Sequence, residues 1–549
     1  MKDEIARARA LRLVDAPPYF VEYTLDDAEF YYASASLGAL IQERRSRLRQ
    51  PKTRVRVGDP KLDNSNHIFS DAYRGARYDS GEFPLDDNYD ALRLAFWLST
   101  DRAYKQALEA LARKKASLKN ISDSERLPDL SPAPPASVIL PILKKPLDDA
   151  KWRARLKEIS NVFSSYPDIF FSEATLGVSN TTSYLVNNEG SEFRIPDFLS
   201  TIRIRASSLA PDGMPIRDYA EYVMPDADRL PSDLELKKAA ATVAEHVTAL
   251  RKAPVGDGYT GPVLFEGVAG PQILAEILGR HFSPTRRPVT DPERPLNLPS
   301  GELEGRLGSR VLPEWIDVLD DPAQKDWRGT PLLGHYPVDI EGVIPKPVQL
   351  IEKGVLRNFI STRQPIAGAE TSNGHARIPG GLGNNVALPG NLFFRASQLS
   401  SAQDLRKKIL DLAKQRGKPF VYVVRKMDFP STATLDELRR VTGGQSGRPV
   451  SLPLRIYRLY ADGREEVVRG LRFRGLTSRS LRDILGVSDE QHLFQYLESG
   501  APFAHMDVTG YVAAVSVIAP SLLFDELELE RIPGELPKPP VVPPPPLAN

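Results

Sequence analysis

The stretch from Tyr259 to Phe282, YTGPVLFEGVAGPQILAEILGRHF, constrains this chain more than any other. Val263, Leu264 and Phe265 make a short apolar run of the kind that suits a buried strand. Gly267, Gly270 and Pro271 then turn the chain, with proline near a helix start, where an amide hydrogen bond is not needed. Behind them Ile273, Leu274, Ile277 and Leu278 recur at the helical interval and fall on one face. The segment reads as buried strand, tight turn and one-sided helix.

Upstream, Tyr19–Leu25, Phe30–Leu37 and Arg45–Val57 alternate in hydrophobicity and are separated by charged or Gly/Pro breaks, which predicts an antiparallel meander of three strands. The strict alternation of Thr53-Arg54-Val55-Arg56-Val57 predicts an exposed basic face, a solvated sheet surface rather than an anion site. Helical spacing runs from Tyr89 to Asn120, and a second helix is expected over Asp148–Phe163. The proline-rich stretch Ser122–Pro141 reads as a linker. Strand-like segments follow at Ile169–Ser172, Thr182–Asn187, Glu192–Ile195 and Ser200–Ser207, with a turn at Asn188-Glu189-Gly190. Ser232-Asp233-Leu234-Glu235 is a capping box opening a helix to about Arg251. Three units are therefore expected: an N-terminal α/β domain (1–235), a β-rich domain (236–535) and a solvated Pro-rich tail (536–549). Beyond the capped helix the chain reads as mainly strands and loops, and Val508–Phe524 as two buried strands.

A chain of 549 residues exceeds one compact domain. Its 72 Lys and Arg nearly cancel its 71 Asp and Glu, so no long-range field draws it to nucleic acid. Cysteine is absent, which removes disulfides, thiolate ligands and a cysteine nucleophile. No apolar run is long enough for a membrane-spanning helix, and Met1–Arg12 lacks the apolar core of a signal peptide. A cytoplasmic location is expected, or a periplasmic or secreted one if an export signal has been removed. A phosphate-binding Gly-rich loop and a nucleophile elbow are both missing.

After Phe282 come LDDPAQKDWRGT (319–330), DIEG (339–342), LIEKGVLRNFIS (350–361), TSNGHAR (371–377) and GGLGNN (380–385). Together with residues 259–282, and in that order, these pieces resemble the catalytic domain of the TldD/PmbA peptidases. The resemblance implies a two-domain α+β fold, with an N-terminal antiparallel sheet and helices and a C-terminal β-rich domain holding a metal helix. In that family the helix carries His-Glu-x-x-x-His. Placed on the pattern, Ala275 stands at the first ligand position, Glu276 at the glutamate and Arg280 at the second ligand position. The third ligand, a cysteine, falls on or beside Met506. The resemblance thus implies a subunit without the zinc of its active relatives and without another cofactor.

A shifted site of Glu276, His281 and His505 is the alternative, but five residues along a helix turn Glu276 and His281 about 140° apart. Arg280 is expected to pair with Glu276, four residues earlier. His281, His375, His505 and Asn373 are the cleft candidates, although a loop histidine such as His375 is ordinarily solvated. Asp320-Asp321 reads as a turn, and His246 as a surface or packing residue. The family further implies a homo- or heterodimer with a TldD/PmbA relative and capture of unfolded peptide by strand addition, which needs no metal. Neither nucleic acid nor a membrane span is expected.

Overall fold

The computed structural model describes the chain except for residues 9, 13–15, 69–82, 120–126, 285, 291–300, 380–383, 431, 435–438, 440–451, 500–511, 535, 537–541 and 543–549. Most of the Pro-rich tail, His505, Met506 and the Gly-rich part of GGLGNN lie outside the described residues.

The N-terminal half is built on long antiparallel strands. β1 (Pro18–Ser36) and β2 (Ala39–Asp59) form one hairpin closed by Leu37 and Gly38, both at positive φ (49° and 80°). That geometry matches the twist of the flanking strands. The first two expected strands are therefore one. The acidic stretch at Asp26–Glu29 does not interrupt β1, because Asp27 accepts from Arg47 and Arg49 on the neighbouring strand and Asp26 from Ser183. Helix α1 (Tyr89–Leu118) covers β2, and β3 (Ser137–Ile139) follows it. Helix α2 (Asp149–Asn161), β4 (Phe171–Asn187), β5 (Glu192–Leu209) and β6 (Pro215–Met224) complete the sheet in the order β2-β1-β4-β5. The outer edge of β5 takes β3 at residues 192–194 and β6 at 200–209. Pro196 lies in the gap between them, where no strand partner needs its missing N–H.

Helix α3 (Asp233–Lys252) begins at the expected capping box: the Ser232 hydroxyl and the Glu235 carboxylate satisfy each other's backbone N–H groups. Its buried face, including Leu236, Ala240, Val243 and Val247, shares a core with β4 and β5. The expected limit at 235/236 falls inside the first turn of this helix.

The second half surrounds a mixed sheet of eleven strands among the described residues. Its members include β7 (Tyr259–Phe265), β8 (Ile316–Asp320), β9 (Val348–Glu352), β10 (Asn391–Ala396), β11 (Phe420–Met427), β12 (Pro453–Tyr460), β13 (Ile484–Ser499) and β14 (Val512–Arg531). The order β9-β8-β10-β14-β7-β11-β12 places β14 at the centre. β14 runs parallel to β10 and antiparallel to β7 and β13. It is one strand through Ser516, Pro520 and Ser521, where two had been expected, because β13 pairs with one of its edges from Val512 to Phe524. Helix α4 (Ala269–Leu278) lies on β14 and β11. A further helix, α5 (Ala402–Gln415), lies against β7 in a region expected to hold mainly strands and loops.

The predicted basic face of β2 is not solvated. Arg56 is buried, with Nη1 2.7 Å from Asp63, and Arg54 reaches Glu22 (2.7 Å) and Asn385 (3.0 Å). Asp63, Ser65 and Asp129 of the same half enclose Arg56, Asn385 of the second half reaches Arg54, and each guanidinium meets a carboxylate. Asp218 of β6 is a second junction: its carboxylate meets Lys426 (2.8 Å), Arg455 (2.5 Å) and His246 (3.0 Å). Lys426 and Arg455, together with the contact to the His246 ring, hold its pKa well below the usual range despite its burial.

Candidate functional site

Strand β7 enters α4 through Gly267, at φ 62°, whose N–H donates to Ser521 Oγ (3.0 Å). A Cβ on Gly270 would lie 2.2 Å from the Pro520 carbonyl oxygen, so only glycine lets the helix approach β14 this closely. From that approach follows a helix buried on nearly every side. All its residues from Ala269 to Leu278 are buried except Glu276, which replaces the expected one-sided pattern.

Ala275 is 1% exposed, and its methyl group offers no lone pair. Arg280 stands beyond the α-helix, in a tighter 3-10 turn over Gly279–Phe282. Its guanidinium pairs with the Glu498 carboxylate of β13. Burial works against the charge of Arg280, but Glu498 outweighs it and holds the pKa above its ordinary value. Among the described residues the carboxylate paired with Arg280 is that of Glu498, where Glu276 had been expected. Past the helix end the four-residue interval no longer stacks side chains, and Arg280 turns to the sheet instead. Tyr496, two residues before Glu498 and on the same face of β13, brings its hydroxyl 3.2 Å from where a Cβ on Gly279 would be.

His281 faces away from this group. Its Nδ1 accepts the Glu302 N–H (3.2 Å), and Nε2 lies 4.0 Å from the Glu302 carboxylate. Burial lowers its pKa, with Glu302 opposing. Among the described residues no three His, Cys, Asp or Glu side chains converge as metal ligands.

His375 and Asn373 are brought together: Asn373 Oδ1 lies 2.9 Å from His375 Nδ1 and accepts the Ser361 N–H (2.8 Å). His375 is fully buried rather than solvated, and its Nε2 lies 3.3 Å from Asp320. Asp320 ends β8 and is equally buried, taking the Gly390 N–H, while Asp321 turns the chain. These residues fix the loop that carries Ala376 and Arg377. Sequence reasoning missed Asp320 as a partner for His375 and missed Glu498 for Arg280. The only signal for Glu498 was its place in step with apolar Phe494 and Tyr496 on an alternating strand.

A cleft of about 530 Å³ opens beside this loop, between the unpaired edge of β5 and the second half of the chain. Phe193, Phe198, Leu332 and Tyr336 supply apolar walls, and Asp197 and Arg377 supply charge. The Arg377 guanidinium lies 4.2 Å from the Tyr336 ring and donates to the Pro389 and Ala514 carbonyls, each at 2.9 Å.

Residues 260–531 match the PmbA/TldA metallopeptidase C-terminal domain. The chain belongs to the TldD/PmbA family. A metalloprotease of Archaeoglobus fulgidus is 33% identical over 78 residues, a stretch spanning 14% of this chain and 17% of that protein. The fold extends the likeness over nearly the whole chain. A Thermotoga maritima protein described as a modulator of a DNA gyrase superposes with a TM-score of 0.58 at 13% identity, covering 93% of this chain and 96% of its own. TldE from Thermococcus kodakarensis superposes at 0.56 and 14% identity, covering 96% and 99%. At such identities the agreement concerns the TldD/PmbA fold alone. The same mixed α+β architecture, with its N-terminal antiparallel sheet, is the one expected from the sequence. No helix among the described residues is long and apolar enough to cross a membrane.

Proposed function

We propose that this chain is a non-catalytic TldD/PmbA subunit that pairs with a second copy or an active relative and holds unfolded peptide without cutting it. The observation that carries this reading is the pairing of Arg280 with Glu498 one turn beyond buried Ala275. Catalytic zinc takes three protein donors and a water. At the two helix positions assigned by the resemblance, this chain offers a methyl group and a permanent cation already bound to a carboxylate. Those residues do not fit zinc. Holding a peptide requires only main-chain hydrogen bonds and pockets for side chains, and the cleft beside β5 supports that part of the reading.

Elemental analysis, light scattering and a peptidase assay on the purified chain test the proposal together. Expected are a dimer, no stoichiometric zinc and no cleavage of unfolded peptides that nonetheless bind. About one zinc per chain, or cleavage abolished by Glu276→Gln, would establish the alternative of an active hydrolase with ligands relocated to Glu276, His281 and His505.

A further inference from the structure

Asp197 sits on the unpaired edge of β5, exposed, in a cleft whose walls are mostly apolar. Among the described residues it forms no ion pair. Its nearest cationic influence is Arg377, but that guanidinium is fixed by two carbonyls and by Tyr336. Lys325, exposed at the mouth, makes no ion pair with it either. The mass of protein around Asp197 raises its pKa, with Arg377 and the Phe198 N–H pulling the other way. Asp218, Glu266 and Glu498, by contrast, each face at least one arginine. A carboxylate held beside Phe193, Phe198 and Leu332 without a countercharge is complementary to a cation that arrives with apolar neighbours.

We propose that Asp197 makes this cleft selective for extended peptide segments carrying a lysine or arginine between apolar residues. The inference rests on the peptide-holding reading above and adds its specificity. The apolar walls accommodate the flanking side chains and the aliphatic stem of the basic residue. Asp197 takes its ammonium or guanidinium head, and because Asp197 is exposed the pair stays open to screening by salt. Peptides bearing acid at that position are repelled by Asp197.

The test uses two fluorescein-labelled unstructured peptides with blocked ends, identical except that one has lysine and the other norleucine between leucines. Fluorescence anisotropy is expected to show the lysine peptide binding about tenfold tighter, a difference of about 1.4 kcal/mol. Added salt should narrow the gap. Asp197→Asn should erase it while leaving the norleucine peptide's affinity unchanged, which also shows that the variant is folded. Equal binding of the two peptides to the native chain, or a preference that survives in Asp197→Asn, overturns the selectivity but leaves peptide holding intact. Binding of neither peptide overturns both.

Discussion

Arg280 and Glu498 join the end of α4 to the longest antiparallel partner of the central strand. The Glu498 side chain is only 5% exposed and that of Arg280 37%. Loss of one partner leaves a charge in a partly dry place. Glu498→Gln should therefore cost about 1–3 kcal/mol in urea unfolding, less than a fully buried pair because Arg280 keeps access to water. A double-mutant cycle with Arg280→Met should return a coupling energy above about 0.5 kcal/mol. A cycle that closes at zero would mean the pair is incidental.

Gly270→Ala is expected to destabilise the chain by about 2–4 kcal/mol, because the new methyl group meets a backbone carbonyl that cannot move without shifting β14. Thermal unfolding of the variant would reveal this. An unchanged melting temperature would contradict the close approach of helix and strand.

Asp218 should govern acid stability. Its folded-state pKa lies below the ordinary carboxylate value, so the unfolded chain takes up the proton first. The stability it contributes is present above about pH 4 and is lost as pH falls below that towards the folded value. Asp218→Asn should cost about 3–5 kcal/mol at neutral pH, stranding Lys426 and Arg455, and should flatten the acid limb of a stability–pH curve. An acid limb identical to that of the native chain would assign the effect elsewhere.

Ser232→Ala removes one half of the capping box and should lower stability by about 1 kcal/mol, with Ser232→Gly costing less. Hydrogen exchange at the first turn of α3 should rise in the alanine variant. Unaltered protection there would show that packing alone fixes the helix start.

What was legible in the sequence were features that depend on near neighbours. The Ser232 capping box, the Asn188–Gly190 turn and the succession of strand, Gly/Pro turn and helix at 259–282 are local, and each lies where it was expected. Strand lengths were not local. Asp27 looked like a break until Arg47 and Arg49 stood opposite it, and Pro196 looked like one until its edge proved unpaired. Alternation also marks a face without telling what covers it, which is why Arg54 and Arg56 were read as solvated. Helix α5 was legible and overlooked: Ser401 caps it, and Leu405, Ile409 and Ala413 are spaced four apart. Arg280 needed knowledge of Glu498, 218 residues away in sequence.

The place of β14 in the chain sets a schedule for the molecule's assembly. Every strand of the N-terminal sheet precedes residue 225, and the helix completing its core ends at Lys252, so that half can close while the remainder is still being synthesised. The second sheet has no such freedom. β7, β10 and β13 all pair with a strand spanning Val512–Arg531, so α4 stays without its floor until synthesis has passed Arg531. During that interval apolar Val263–Phe265 and Ile273–Leu278 have no permanent cover, and any chaperone that attends this protein has its longest task there.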